Sequence, residues 1–156
     1  MGAGQKARRC FMTTAEQLIK RKEDKLAMLA PDATVLEAAQ LMNERMIGSV
    51  LVVQQGTLAG IFTERDVMRR IVAEKRDPAK TRLSEVMTKQ VACATPHTPL
   101  DEVRVAMREK RIRHMPVIAE DGRTILGMIS IGDLNKVNLQ AQAETIRYLK
   151  QYMSVA

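Results

Sequence analysis

Apolar positions along the chain alternate between two spacings. Val35, Ala38, Ala39 and Met42 recur at three- and four-residue intervals, as do Leu100, Val103, Ala106 and Met107, the pattern of a helix buried on one side. Each set is followed by two strand-sized runs around a turn, "SVLVV" and "LAGIF" around "QQG", then "MPVI" and "ILGMI" around "EDG". Both read as β-hairpins. A short strand precedes each helix, "KLAML" and "QVACA", and leads into a proline-bearing loop, where the residue before Pro is driven out of helical conformation. A second helix closes each set: "ERDVMRRIVAEKR" in the first, and "GDLNKVNLQAQAETIRYLKQYM", with room for a break, in the second.

The two sets are copies. Pro31 falls on Pro96, Val35 on Leu100, Met42 on Met107, Ile47 on Ile112 and Val52 on Val117; an insertion in "AEDGRT" then shifts the register, so that Gly60 meets Gly127 and Asp66 meets Asp133. The fold class is therefore α+β, two β-α-β-β-α repeats that a pseudo-twofold axis would relate. A unit of about sixty residues is marginal alone, and two can bury each other's open sheet faces. The expected division is a flexible tail over 1–11, a first repeat over 12–80 and a second over 81–153. Such packing leaves clefts between the copies, lined by equivalent residues, and clefts of that kind hold ligands.

One short motif stands at the same place in both copies, "GIFTERDV" and "GMISIGDL". A hydroxyl followed three residues later by an acid, where a strand becomes a helix, is a capping box. The same geometry suits a nucleotide. Helix amides attract an anion, the hydroxyl of Thr63 or Ser130 reaches a phosphate, and the carboxylate of Asp66 or Asp133 accepts from ribose hydroxyls. Both readings stand on the residues alone.

Composition narrows the partners. The 156 residues are 46% hydrophobic and 28% charged, proportions of a folded chain. Aromatic residues make up only 3%, which disfavours base stacking and so single-stranded nucleic acid. A formal net charge of +7 favours anionic partners, although acids interrupt the basic clusters "KARR", "KRK" and "REKRIR". Two cysteines, Cys10 and Cys93, are too few for a disulfide framework, and Cys93 is expected to be buried in its strand. A reducing cytoplasm is the expected compartment. No apolar run reaches membrane-spanning length, and the start "MGAGQK" matches neither a myristoylation nor a secretory signal. His97 reads as a solvent-facing loop residue, and His114 has no second His or Cys at metal-ligand spacing. Two His and four Ser in no nucleophile setting, with no Walker-type loop, argue against an enzyme.

The paired G-x-x-[TS]-x-x-D motifs, with "RIRHMPVI" before the second and "LSEVMT" between the copies, make the chain similar to tandem cystathionine-β-synthase (CBS) domains, the Bateman module, and most of all to small stand-alone bacterial members. The resemblance runs over roughly residues 12 to 153. It implies a regulatory module that binds an adenosine-containing ligand, AMP, ADP, ATP, NAD or S-adenosylmethionine, between the repeats, and that forms a homodimer through its helices. It implies ribose-binding roles for Asp66 and Asp133, and sugar or phosphate contacts for Thr63 and Ser130. Arg113 and His114 match basic phosphate contacts, Thr88 matches another polar contact, and Met115 and Pro116 would wall the adenine. Arg65 falls beside the phosphate path by its place in the first helical turn.

The copies differ where specificity should lie, because Gly48 and Ser49 stand where the second copy has Arg113 and His114. Two unequal clefts are therefore expected. With no catalytic or transport domain attached, the regulated partner is expected to be another, unidentified chain. The alternatives are a ligand-independent dimerising adaptor, in which both motifs are only caps, and nucleic-acid binding through the basic surface, which predicts steep salt dependence.

Overall fold

A computed structural model describes residues 12–23 and 25–154. The expected flexible tail over 1–11 and Cys10 lie outside the described residues. In chain order the elements are α1 (Ala15–Arg21), β1 (Met28–Leu29), α2 (Val35–Arg45), β2 (Ser49–Gln54), β3 (Thr57–Thr63), α3 (Glu64–Asp66), a π-helical turn (Val67–Val72), α4 (Leu83–Val86), α5 (Leu100–Lys110), β4 (His114–Ile118), β5 (Ile125–Ser130) and α6 (Ile131–Met153).

The hairpins form as their alternation requires. β2 and β3 pair antiparallel from Ser49 opposite Thr63 to Gln54 opposite Thr57. They turn on Gln55 and Gly56, both at positive φ, a two-residue link that matches the twist of the strands. β4 and β5 pair from His114 opposite Ser130 to Ile118 opposite Ile125. β1 adds to β2 in parallel, giving a three-stranded sheet. Its counterpart does not become a strand. Within "QVACA" only Ala94 bridges Val117, exchanging bonds of 2.9 Å with Pro116 and Ile118. Cys93 beside it is exposed rather than buried, and partial desolvation pushes its thiol above the ordinary value, so it is not an activated thiolate.

Packing does not follow chain order. Leu83 and Val86 of α4, in the stretch that joins the repeats, complete the first core with Val35, Ala38, Val50, Val52 and Phe62. Ala15 and Leu18 of α1, far upstream, complete the second with Leu100, Val103, Val117, Ile129 and Leu134. Each core thus takes one helix from the other's side of the sequence. Matching glycines make the seats. A Cβ on Gly60 would lie 2.6 Å from Met87 Sδ and 2.8 Å from the Thr88 carbonyl, and one on Gly127 would lie 2.9 Å from Ile19 Cγ2. The opening Gly of the repeated motif is a docking surface for a helix.

The closing helices differ. The first passes from α3 into the π turn, with Ala73 N donating to Met68 O at 3.0 Å, whereas α6 runs 23 residues without the break that its length allowed. Its half beyond Val137 is exposed on nearly every face.

Candidate functional site

Both strand-to-helix junctions are capped as their sequences predict. Asp66 Oδ2 accepts from Thr63 N at 2.9 Å and from Thr63 Oγ1 at 3.1 Å, and Asp66 N donates back to Thr63 Oγ1 at 3.3 Å. At the second junction Asp133 Oδ2 accepts from Ser130 N at 2.7 Å, and Asp133 N donates to Ser130 Oγ at 3.2 Å. The caps do not exclude a binding role, because each junction also opens on a cleft between the repeats.

The larger cleft has a volume of about 660 Å³. Thr63, Glu64, Arg65, Asp66, Arg69 and Thr88 form one wall, and Lys110, Arg111, Ile112, Arg113 and His114 form the other. Thus the hydroxyl and carboxylate of the first repeat face the cations of the second, a pairing across the axis that sequence alone leaves open. Asp66 is braced from outside this cleft. Its Oδ1 lies 3.5 Å from Arg70 Nε, while Arg70 Nη1 donates to Val86 O and Nη2 to Thr88 Oγ1 at 3.2 Å. Arg65 Nη1 spans the cleft to the Arg111 carbonyl at 3.1 Å. Among the described residues no carboxylate forms an ion pair with Arg69, Lys110, Arg111 or Arg113, and these four cations outnumber Glu64 and Asp66, the acids that line the same opening. Such a site concentrates anions.

The smaller cleft, about 340 Å³, takes Ser130 and Asp133 from the second repeat and Ile47, Gly48 and Ser49 from the first, closed on one side by Lys22. Lys22 Nζ donates to Asp133 Oδ2 at 2.8 Å and to Met128 O at 2.9 Å. Burial pushes the Asp133 carboxyl up, but the bonds and charge of Lys22, with the Ser130 bonds, outweigh it and hold the carboxyl below its usual range. The clefts are unequal in size and in charge.

His114 lines both clefts. Burial lowers its pKa below the ordinary 6.5; Glu64 and Asp133 pull it up, while Lys22 and Arg113 press it down. Opposite it Gly48 keeps the partition thin, since a Cβ there would sit 3.2 Å from Glu64 Oε1 and 3.4 Å from His114 Cε1.

The expected site residues are thus divided. Thr63, Arg65, Asp66, Thr88, Arg113 and His114 meet in the larger cleft, and Ser130 and Asp133 meet in the smaller. Met115 and Pro116 depart from the expectation: they line neither cleft and both are buried, Met115, 3% exposed, within the second core. Ile61, Val91, Ala92 and Ile112 supply the apolar lining of the larger cleft instead. Sequence reasoning did not single out Arg69, Lys110 and Arg111, although "REKRIR" was conspicuous, nor Lys22 in "KRK". His97 is exposed, 3.3 Å from Glu120. Among the described residues no three His, Cys, Asp or Glu side chains cluster as metal ligands, and no helix is long and apolar enough to cross a membrane.

Comparison with known proteins agrees with the geometry. A family model described as CBS domain matches residues 16–73 and again 83–139. The mitochondrial CBS domain-containing protein CBSX3 of Arabidopsis thaliana is 35% identical over 127 residues, which cover 78% of this chain but only 61% of that protein. A solved protein with CBS domains from Burkholderia ambifaria superposes with a TM-score of 0.79 at 39% identity, covering 83% of this chain and 96% of that one. A hexameric CBS-CP12 protein from bloom-forming cyanobacteria matches with a TM-score of 0.67 at 30% identity, covering 78% and 68%.

Proposed function

This chain belongs to the CBS domain family as a tandem pair, and we propose that it is a non-catalytic sensor whose larger cleft binds an adenosine-containing nucleotide, AMP, ADP, ATP or NAD, and signals occupancy to a partner protein. The observation that carries this reading is the meeting of two chemistries across one opening: the Thr63 and Asp66 junction on one side, the Arg111 and Arg113 cations with the His114 ring on the other. Asp66 Oδ1, whose one polar contact among the described residues is the long approach of Arg70, is the acceptor for a ribose diol. The cations take the phosphates, and the apolar lining takes the base. A volume of about 660 Å³ lies within the range of small-molecule sites, roughly 300–1,000 Å³.

Transmission follows from what lies on either wall. A ligand that bridges the first repeat's junction to the second repeat's cations favours one relative setting of the repeats, and can shift that setting only by its differential affinity for the alternatives. Competition between AMP and ATP for the same cations would make the module an energy sensor. Self-association through the closing helices is part of the reading, supported by exposed Met68, Val72, Ile146 and Leu149 and by the hexameric relative.

A thermal-shift panel at matched ionic strength with AMP, ADP, ATP, NAD and S-adenosylmethionine tests the proposal. Saturation at a hundred times the dissociation constant should stabilise the fold by about 2.7 kcal/mol. At the same ligand concentration the rise should drop to about half or less in Asp66→Asn and persist in Asp133→Asn. No rise with any ligand, in protein that melts cooperatively, would leave the adaptor reading in its place.

A further inference from the structure

The two junction aspartates are held by cations that come from opposite directions. In the larger cleft Arg70 reaches Asp66 at 3.5 Å from outside, and Arg70 is not among the residues that line the opening. In the smaller cleft the cation lies in the opening itself. Lys22 lines it, bonds Asp133 Oδ2 at 2.8 Å and Met128 O at 2.9 Å, and leaves its side chain 23% exposed. We infer that Lys22 is a built-in occupant of the smaller cleft: its ammonium fills the opening and takes one oxygen of the carboxylate that a ribose diol would need, and so confines nucleotide to one cleft per chain. The inference rests on the nucleotide reading of the larger cleft and goes beyond it.

Two observations support this role over plain bracing. Lys22 follows the C-terminus of α1, and that helix is already seated by the burial of Ala15 and Leu18 and by the contact of Ile19 with Gly127, so the bond to Asp133 is not needed to place it. The charge balance also differs. Asp133 Oδ2 already holds the Lys22 ammonium and the Ser130 amide, so Oδ1 alone is left for a diol, and a ligand that reaches it must share the cleft with Lys22. Beyond Lys22 the first repeat lends this cleft one cation, the exposed Lys25, where the larger cleft is faced by Lys110, Arg111 and Arg113. Removing Lys22 restores to the smaller cleft both the acceptor and the volume of a long side chain.

Isothermal titration with ATP and with AMP, on the full chain, reads the outcome as stoichiometry. Wild type should bind one nucleotide per chain. Lys22→Met should bind two, and Lys22→Met combined with Asp133→Asn should return to one. Lys22→Gln can still donate to Met128 O while removing the charge beside Asp133, and should also bind two, which covers the case in which the Met variant folds poorly. Two sites in wild type, or a single site in both folded Lys22 variants, would overturn the inference and leave the larger cleft intact. No uptake by wild type or by any variant would defeat the nucleotide reading, and this inference with it.

Discussion

At the residue scale the informative groups do two jobs at once. Asp66 closes a capping box and faces the larger cleft, so an alanine scan there would mix fold with binding. Asp66→Asn separates them, because the amide oxygen still accepts from Thr63 N. We expect thermal stability to fall by about 1 kcal/mol or less and nucleotide affinity to fall by about 1.5–3 kcal/mol, roughly ten- to hundredfold, as measured by titration calorimetry. His114 gives a second outcome. Burial holds its folded pKa below 6.5, so the unfolded chain takes the proton first; stability from this group is flat above that pH and declines as pH falls beneath it. A phosphate against the ring reverses the preference. Binding should then draw a proton and tighten as pH falls toward the folded value, while His114→Gln should bind with little pH dependence; calorimetry in two buffers of different ionisation enthalpy counts the proton. Asp133 acts in the same sense at lower pH. Its folded pKa is depressed below 3.8, so the Lys22 pair contributes stability that is whole above that pH and lost as pH falls through the folded value. Lys22→Met should therefore flatten the acid limb of denaturant-measured stability.

At the element scale, period and turn chemistry made most of the fold legible. The three-and-four spacing of Val35, Ala38 and Met42 and the Gln55–Gly56 turn are local signals, and local signals survive without tertiary information. What failed was set by distant partners. "QVACA" has strand composition, yet Ala94 alone pairs with β4. α1 was missed although "TTAEQ" carries a capping box at Thr14 and Gln17, since no apolar stripe beyond Ala15, Leu18 and Ile19 announces it. The site divided likewise. The junction residues were legible, but which cations face them, and that Met115 and Pro116 are buried away from both clefts, depend on how the repeats dock. The exposed second half of α6 is a separate element with its own test. Ile146, Leu149 and Met153 stand three and four residues apart and more than half exposed. If this stripe pairs with another copy, Ile146→Glu with Leu149→Glu should shift the sedimentation coefficient toward that of a single chain without lowering the melting temperature, whereas an unchanged coefficient would remove α6 from any interface.

At the scale of the whole molecule, the exchange of helices joins the repeats into one unit. Residues 12–80 lack Leu83 and Val86, and residues 81–153 lack Ala15 and Leu18, so each fragment leaves a trough in its core. We expect neither fragment alone to show a cooperative melt, and the two mixed to recover one. The seats are equally strict. Gly60→Ala drives a Cβ to 2.8 Å from the Thr88 carbonyl, which is fixed by its 3.0 Å bond from Ile61 N, and should cost about 1–3 kcal/mol in chemical denaturation. The exchange also sets an order on the ribosome, where chains emerge from the N-terminus and domains close as they are completed. The first core needs nothing made after Met87 and can close while the second half is still being synthesised. α1, made before either core, must wait with Ala15 and Leu18 unburied until Leu134 has emerged. Of the described helices, the first in chain order waits on the second half of the chain for its place.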